Sequence, residues 1–473
     1  MQDIDRNHSS IFKIVSEAAS ALKQPAYVVG GYVRDYYLGR LHEQGRTDID
    51  FVTIGSGIDL AAAVGVKLKA KQISTFRQFG TAHISYKGMD LEFVGARKES
   101  YSRESRKPVV EDGTMEDDQR RRDFTINAMS WSLDEQNYGE LIDPFGGLTD
   151  LGNKIIRTPV DPEITLSDDP LRMMRAARFA AQLDFDIEEH TLAAIKEMAE
   201  RIGIVSKERV IDELNKIVLS PVPSKGFSIL FETGLLTHIF PELVELHGVK
   251  EVEGIRHKDN FWHTLQVLDN ISRVTANQWL RWAAIMHDIG KPATQRFSDE
   301  HGWTFHGHDA VGANMTRRIF RRLGLPLDSR MKYVQKLVKL HLRPIALVNE
   351  EVTDSAIRRL LVDAGDDIED LMMLCRADIT SKNDRKVKQF LANFDRVEQR
   401  ILEVDEKDKL RNWKPPIGGE EIMEMFSLKP GPDVGKIKNA IEAAILEGEI
   451  PNTAEAAKEY AHKIKDEILK ETL

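Results

Sequence analysis

A chain of 473 residues is longer than one hydrophobic core serves, so two to four domains are expected. Hydrophobic residues make up 41% and charged residues 30%, with no uncharged apolar run of spanning length, which excludes a transmembrane protein; the single Cys375 excludes an intrachain disulfide, a thiolate zinc cluster and a CxxC redox centre. A net charge of -10 excludes a grip on long nucleic acid through bulk positive charge and leaves room for a local basic patch.

The start, MQDIDRNHSS, carries early acids and no basic-then-apolar leader, so a cytoplasmic protein is expected. In chain order, residues 11–22 have helical periodicity, AYVVGG reads as a strand closed by two glycines, VRDYYLGR as a helix and IDFVTIG as a second strand. GTAHISY and MDLEFVGA follow as a strand-like pair, and residues 98–120 read as a polar loop too long to be a mere connection. From Leu171 onward strands all but vanish, and LRMMRAARFAAQL, ERVIDELNKIVL and FSILFETGLL read as amphipathic helices. PELVELHGVKEVEGIRHKDN connects to a histidine-rich helical block, and NWKPPIGGEE leads into a last helical segment. The expected fold class is an α+β head, a mixed sheet with helices, followed by mostly α-helical segments, with boundaries at 1–155, 156–245, 246–390 and 391–473.

Asp48 and Asp50 lie two apart in the strand RTDIDFVTIG, so both carboxylates share one face, and two such charges side by side call for a cation. Upstream, Gly30 and Gly31 stand between a strand and a helix whose first turn holds Arg34, which suits close backbone approach to a triphosphate. A phosphate cradle beside carboxylates able to hold two Mg²⁺ ions is the equipment of phosphoryl transfer, and Glu92 offers a third carboxylate. Farther on, Asp169 and Arg172 are three apart on a helix and share a face that Arg175 and Arg178 continue, while Met173, Met174 and Phe179 read as core.

These residues, with RRRDFTINAMS, IDPFGGLTDL and DDPLRMMRAARFAAQL following in order, resemble the nucleotidyltransferase superfamily. The resemblance is most specific to the class II tRNA nucleotidyltransferases, the CCA-adding enzymes, with related bacterial poly(A) polymerases. It implies Asp48 and Asp50 as catalytic Mg²⁺ ligands, Arg122 on phosphates or base, Asp123 on the ribose hydroxyls and Asn127 in the nucleotide pocket. For Arg120 and Arg121 a basic helix N-terminus capped by Asp123 is the better reading. Asp169 and Arg172 are implied as a protein template for the base. Cytosine and adenine each offer an amino donor beside a ring-nitrogen acceptor, which a carboxylate and a guanidinium satisfy together, so CTP and ATP are the expected substrates. Residues 98–120 resemble the flexible loop of enzymes that add the terminal A, and the C-terminal AAKEYAHKIKDEILKETL lacks the basic tail of poly(A) polymerases. CCA addition to tRNA is therefore the expected activity, with A addition or poly(A) synthesis as the alternatives.

In the third segment His287 and Asp288 end an apolar helix closed by Gly290 and Pro292. With His263, His308, His341 and Asp378 they make a set of imidazoles and carboxylates fit for Mg²⁺, Mn²⁺, Fe or Ni, in an order that resembles the HD phosphohydrolase superfamily. His263, His287, Asp288 and Asp378 are the expected ligands, His308 and His341 the candidates for a second metal or for substrate phosphate, and His257 and His306 neither. The resemblance implies phosphatase, 2′-nucleotidase or 2′,3′-cyclic phosphodiesterase activity.

Arg317, Arg318, Arg321 and Arg322, and later Lys436 and Lys438, lie on expected helices, where they serve either as solvated faces or as a basic track for tRNA. The four segments thus read as catalytic head, neck for base recognition and RNA binding, HD domain and tRNA-binding tail. A hydrolase with a merely nucleotide-binding head and a non-catalytic RNA-binding protein are the rivals, and intact Asp48, Asp50 and Arg172 speak against both. The sequence leaves the oligomeric state open.

Overall fold

The computed structural model describes residues 8–41, 47–102, 105–249, 251–252, 255–256, 259–349, 353–380, 383–408 and 413–470. The chain divides into two compact units, Met1–Pro241 and Glu242–Leu473. His257 lies outside the described residues.

The first unit contains β1 (Ala26–Val29), β2 (Thr47–Thr53), β3 (Ser74–Phe76), β4 (Thr81–Tyr86), β5 (Met89–Gly95), β6 (Arg97–Ser102), β7 (Ser105–Asp112), β8 (Ser130–Ser132) and β9 (Leu141–Ile142). Seven of them form one sheet in the order β3-β4-β5-β2-β1-β8-β9. β2 and β5 run parallel and their neighbours antiparallel, so the sheet is mixed as expected. A helix, Gly57–Leu68, lies in the crossover that a parallel pair requires.

Alternation along β2 decides which face becomes chemical. Ile49 and Phe51 are fully buried, Phe51 stacking on Phe93 at 4.9 Å and meeting Phe12 edge-on at 6.2 Å. Burying those rings under the helices Ser9–Leu22 and Gly57–Leu68 turns the intervening Asp48 and Asp50 to the other face.

The stretch 98–120 departs from its reading as a loop. It forms the β6–β7 ribbon, a connection at Gly113, and the helix Met115–Arg120, opened by a capping box between Thr114 and Asp117. The ribbon pairs outside the main sheet, and its sequence, RKESYS and SRKPVVED, lacks the apolar alternation that betrays a half-buried strand. The helix also corrects the reading of Arg120 and Arg121, which lie at a helix C-terminus rather than an N-terminus. Asp123 instead accepts from the Phe124 N–H, just ahead of the single turn Thr125–Asn127.

After the sheet come the expected helices Leu171–Leu183 and Lys207–Val218. FSILFETGLL splits in two, Pro223–Glu232 and Leu235–Ile239, because Gly234 adopts φ +80°. Met173 and Met174 are fully buried and Phe179 nearly so, as their reading as core requires.

In the second unit the helices Asn260–Ser272, Gln278–Met286, His308–Leu323, Ser329–Leu340 and Ile368–Asp378 carry a core that includes Phe261, Trp282 and Phe320. Toward the C-terminus, Gly419–Phe426, Pro432–Glu447 and Ala454–Lys470 share a separate cluster around Ile422, Ile437 and Ile441. Arg317, Arg318 and Arg321 are exposed, whereas Arg322 pairs with Glu242 at 2.5 Å; Lys436 is exposed and Lys438 half-buried. Among the described residues no helix is long and apolar enough to cross a membrane.

Candidate functional site

Two sets of chemical groups stand out, one in each unit. In the head, Asp50 faces Glu92 and Asp48 faces Asp90 across the parallel β2–β5 pair. Asp90 accepts from Ser85 Oγ at 2.7 Å and lies 3.2 Å from His83 Nε2. Burial first, then the charges of Glu92, Asp48 and Asp118, push the Asp50 carboxyl up to about 6 against the pull of Arg122. Crowded acids of this kind suit a divalent cation. Among the described residues, however, the groups of three whose ligand atoms lie within 4.8 Å of one another are both in the second unit, so the three head acids are not drawn together that closely.

Gly30 sits where β1 turns into the helix Gly31–Tyr37, at φ +77° and ψ -133°, a conformation that glycine alone adopts without strain. A Cβ there would lie 2.9 Å from Arg122 Nη1 and 3.6 Å from Asp50 Oδ2. Gly30→Ala is therefore expected to lose about 1–3 kcal/mol of stability and to displace Arg122. Thermal unfolding and the KM for nucleotide check it, both moving adversely. Arg34 is committed on two sides, Nη1 donating to Asn127 Oδ1 at 2.7 Å and Nε to Asp35 at 2.8 Å.

From Asn127 the network passes to the neck. Asn127 Nδ2 donates to Asp123 Oδ1 at 3.0 Å, and Arg175 Nε donates to Asp123 Oδ2 at 2.7 Å. Burial alone would raise the Asp123 carboxyl, but Arg175, Asn127 and Arg172 together bring it down to about 2. Arg121, Arg122, Asp123, Asp169, Arg172 and Arg175, with Arg209, line a cleft of 270 Å³. Asp169 and Arg172 both reach it without bonding each other through their side chains. Arg172 donates to the Thr165 and Arg121 carbonyls at 3.0 and 2.6 Å, whereas Asp169 is held by Arg209. Arg178 is turned elsewhere, its Nε donating to Glu213 at 2.6 Å and its guanidinium lying 3.9 Å from the Phe179 ring centre.

Three participants escaped the sequence reading. Asp118 is fully buried and takes Arg121 on one oxygen and Arg122 on the other, the latter at 3.1 Å. Glu213, 2% exposed, anchors Arg178 at 2.6 Å, and Arg209 pairs with Asp169. The one signal available for Asp118 was the capping motif TMED that starts its helix. Arg209 and Glu213 lie some forty residues from their partners, beyond any local pattern.

In the second unit all six sequence candidates meet. His263, His287 and Asp378 form one convergent triad, and Asp288, His308 and His341 another. Asp288 spans both: its Oδ2 lies 3.2 Å from His287 Nε2, and its Oδ1 lies 3.3 Å from His308 Nε2. The Nδ1 atoms of His287, His308 and His341 each meet a backbone carbonyl, at 2.7, 2.8 and 2.6 Å. A carbonyl only accepts, so each Nδ1 is the donor, which leaves the Nε2 of each ring facing the centre. His308 and His341 Nε2 face each other at 3.3 Å, a spacing that a shared proton or a shared cation satisfies. His287 Nε2 is buried and makes no well-aligned hydrogen bond, its neighbours being the Asp288 and Asp378 carboxylates at 3.2 and 3.6 Å. Burial lowers the His341 imidazole to about 4, assisted by His287, while Asp288 and Asp378 outweigh burial at His287 and raise it to about 10. Gly290 makes the closeness possible, since a Cβ there would collide with the His308 carbonyl at 2.2 Å. His306 belongs to neither triad.

A mixed sheet presenting paired acids beside a glycine turn, followed by helices that complete a polar cleft, defines a nucleotidyltransferase. Family models agree along the chain: "Poly A polymerase head domain" over 26–157, "Probable RNA and SrmB- binding site of polymerase A" over 184–246, "HD domain" over 260–381 and "tRNA nucleotidyltransferase domain 2 putative" over 371–461. The chain is 35% identical over 352 residues to the A-adding tRNA nucleotidyltransferase of Deinococcus radiodurans, covering 72% of this chain and 78% of that one. To the Multifunctional CCA protein of Nitrosococcus oceani it is 33% identical over 372 residues, covering 76% and 85%. The fold is like that of the Bacillus stearothermophilus CCA-adding enzyme in complex with CTP, with a TM-score of 0.66 at 22% identity over 99% of this chain and 100% of that one. The chain belongs to the tRNA nucleotidyltransferase family and is an enzyme of that class carrying an HD domain.

Proposed function

We propose that the chain rebuilds the 3′ end of tRNA in the cytoplasm, adding C, C and A from CTP and ATP. The observation that carries this is the continuity of groups from Asp50 through Arg122 to the cleft holding Asp169 and Arg172, a phosphate end joined to a base end. In each cycle the terminal 3′ oxygen loses its proton and bonds to the α-phosphorus in line, the bond to the β-phosphoryl oxygen breaks, and pyrophosphate leaves. Asp48 and Asp50 would hold Mg²⁺, with Glu92 alongside, and the bound cation supplies charge stabilisation at the attacking and leaving oxygens. Gly30 and Gly31 let the backbone approach the triphosphate, Arg34 and Arg122 meet its charge, and Asp123 and Asn127 receive the ribose. Asp169 accepts from the base amino group while Arg172 donates to the ring nitrogen, with Arg175 steadying Asp123. Arg178 acts from outside the cleft lining, holding Glu213, which lies 3.8 Å from Arg175. Relatives named Multifunctional CCA protein and folds solved with CTP and with tRNA support the assignment.

A second reading, A addition alone, is favoured by the 35% identity to the Deinococcus A-adding enzyme. Extension of tRNA transcripts ending before CCA and at CC, with each labelled nucleotide, separates the two. Ordered addition of two C and one A that then stops is expected; extension of the CC transcript alone assigns the A-adding activity, and open-ended A tails a poly(A) polymerase.

For the HD site we infer metal-dependent hydrolysis of a phosphoester at the tRNA end. His263, His287, Asp378 and Asp288 would hold one divalent ion of the Mg, Mn, Ni or Fe group, and His308 and His341 a second that shares Asp288. The bound metal supplies Lewis acidity for phosphoester hydrolysis.

A further inference from the structure

We propose that Arg209 is a specificity-determining residue of the head and neck cleft, fixing Asp169 as an oriented acceptor for the amino group of the incoming base. This rests on the reading of Asp169 and Arg172 as the base-reading pair, and it assigns to a third side chain the selectivity of that pair.

The two members of the pair are anchored in different ways. Arg172 is tied to backbone at both ends of its guanidinium, by the Thr165 and Arg121 carbonyls, and these do not move when side chains change. Asp169 stands in extended conformation at the break between the helices Pro162–Asp168 and Leu171–Leu183, where neither helix confines its rotation. One backbone group steadies it, the Leu171 N–H donating to Oδ1 at 3.2 Å. The rest comes from Arg209, in the first turn of the helix Lys207–Val218, whose Nη2 donates to Oδ2 at 2.7 Å and Nη1 to Oδ1 at 3.3 Å.

A guanidinium fork of this kind fixes both the position and the plane of a carboxylate. With the Leu171 N–H it fills both lone pairs of Oδ1 and one of Oδ2, and leaves the second lone pair of Oδ2 for the cleft, whose lining includes both side chains. So held, Asp169 accepts and does not donate. Cytosine and adenine bring an amino group to that point, whereas uracil and guanine bring a carbonyl oxygen that meets another acceptor. A carboxylate free to turn away would leave room for water beside the wrong base, and selection would fall while binding of the phosphates stayed.

The test is kcat/KM for CTP, UTP, ATP and GTP on transcripts ending before CCA and at CC, in wild type, Arg209→Met, Arg209→Lys and Asp169→Asn. The CTP/UTP and ATP/GTP ratios are expected to fall at least about tenfold in Arg209→Met. Arg209→Lys is expected to fall between the two, because an ammonium keeps the charge without the fork. A ratio within one variant cancels general losses of activity or of folded protein, so a purely structural role would leave it unmoved. Ratios kept in Arg209→Met but lost in Asp169→Asn overturn the role of Arg209 and leave the base-reading pair standing. Ratios kept in Asp169→Asn overturn both.

Discussion

Asp50→Asn is expected to abolish nucleotide addition, lowering kcat by about a thousandfold or more, and at the same time to stabilise the metal-free protein above pH 6. The first effect follows from losing a carboxylate that the proposed mechanism assigns to Mg²⁺. The second follows from what surrounds it: burial and the charges of Glu92, Asp48 and Asp118 raise the Asp50 carboxyl from 3.8 to about 6 in spite of Arg122. The sign follows by linkage. The folded state binds the proton more tightly than the unfolded chain, so the associated stability is fully present below about pH 4 and is lost as pH rises through 6, to the extent of about 3 kcal/mol. An amide at this position carries no charge to repel its neighbours. In chelator, the melting temperature of Asp50→Asn should exceed that of the wild type at pH 7.5, and the gap should close near pH 4. Added Mg²⁺ should raise the melting temperature of the wild type more than that of the variant. Equal responses to Mg²⁺ in the two proteins would remove Asp50 from the cation site.

What the sequence disclosed, and what it hid, follows from the range of each interaction. The acids of β2 were legible because period-two alternation is local: Ile49 and Phe51 must be buried, so Asp48 and Asp50 must share the other face. The helix boundaries around Arg172 and His287 were legible for the same reason, through apolar periodicity and the breaks at Pro170 and Gly290. The ribbon at β6 and β7 was not, since RKESYS and SRKPVVED carry no apolar alternation to mark them as strands. Asp118 and Glu213 were hidden differently. Both are acids among basic residues on helices, indistinguishable in sequence from solvated surface until the fold buries them against Arg122 and Arg178. Buried acids of this sort are identified by their partners, which lie on other elements.

Asp288→Asn is expected to empty the HD site of metal and to eliminate hydrolysis of 2′,3′-cyclic phosphate at a tRNA end, while nucleotide addition continues at the wild-type rate. Asp288 belongs to the second triad and its other oxygen faces the first, with Oδ2 at 3.2 Å from His287 Nε2 and 3.7 Å from His263 Nε2, and Oδ1 at 3.3 Å from His308 Nε2 and 3.9 Å from His341 Nε2. Its Oδ2 also takes the ammonium of Lys291 at 2.6 Å, which fixes the carboxylate plane much as an outer-shell partner orients a metal ligand. An amide in its place leaves one neutral oxygen for what the carboxylate would divide between the two proposed ions. Metal content after chelation and titration with Mn²⁺, measured in the Asp50→Asn background so that the head does not contribute, should be two ions per chain. His308→Ala should retain one ion, because His263, His287 and Asp378 form a complete triad without it. Uptake should weaken as the pH falls, since protons and metal compete for the same Nε2 lone pairs. A wild-type content of one ion that His308→Ala leaves unchanged would overturn the two-ion assignment. Nucleotide addition lost together with metal in Asp288→Asn would mean that the HD site serves the head rather than a reaction of its own.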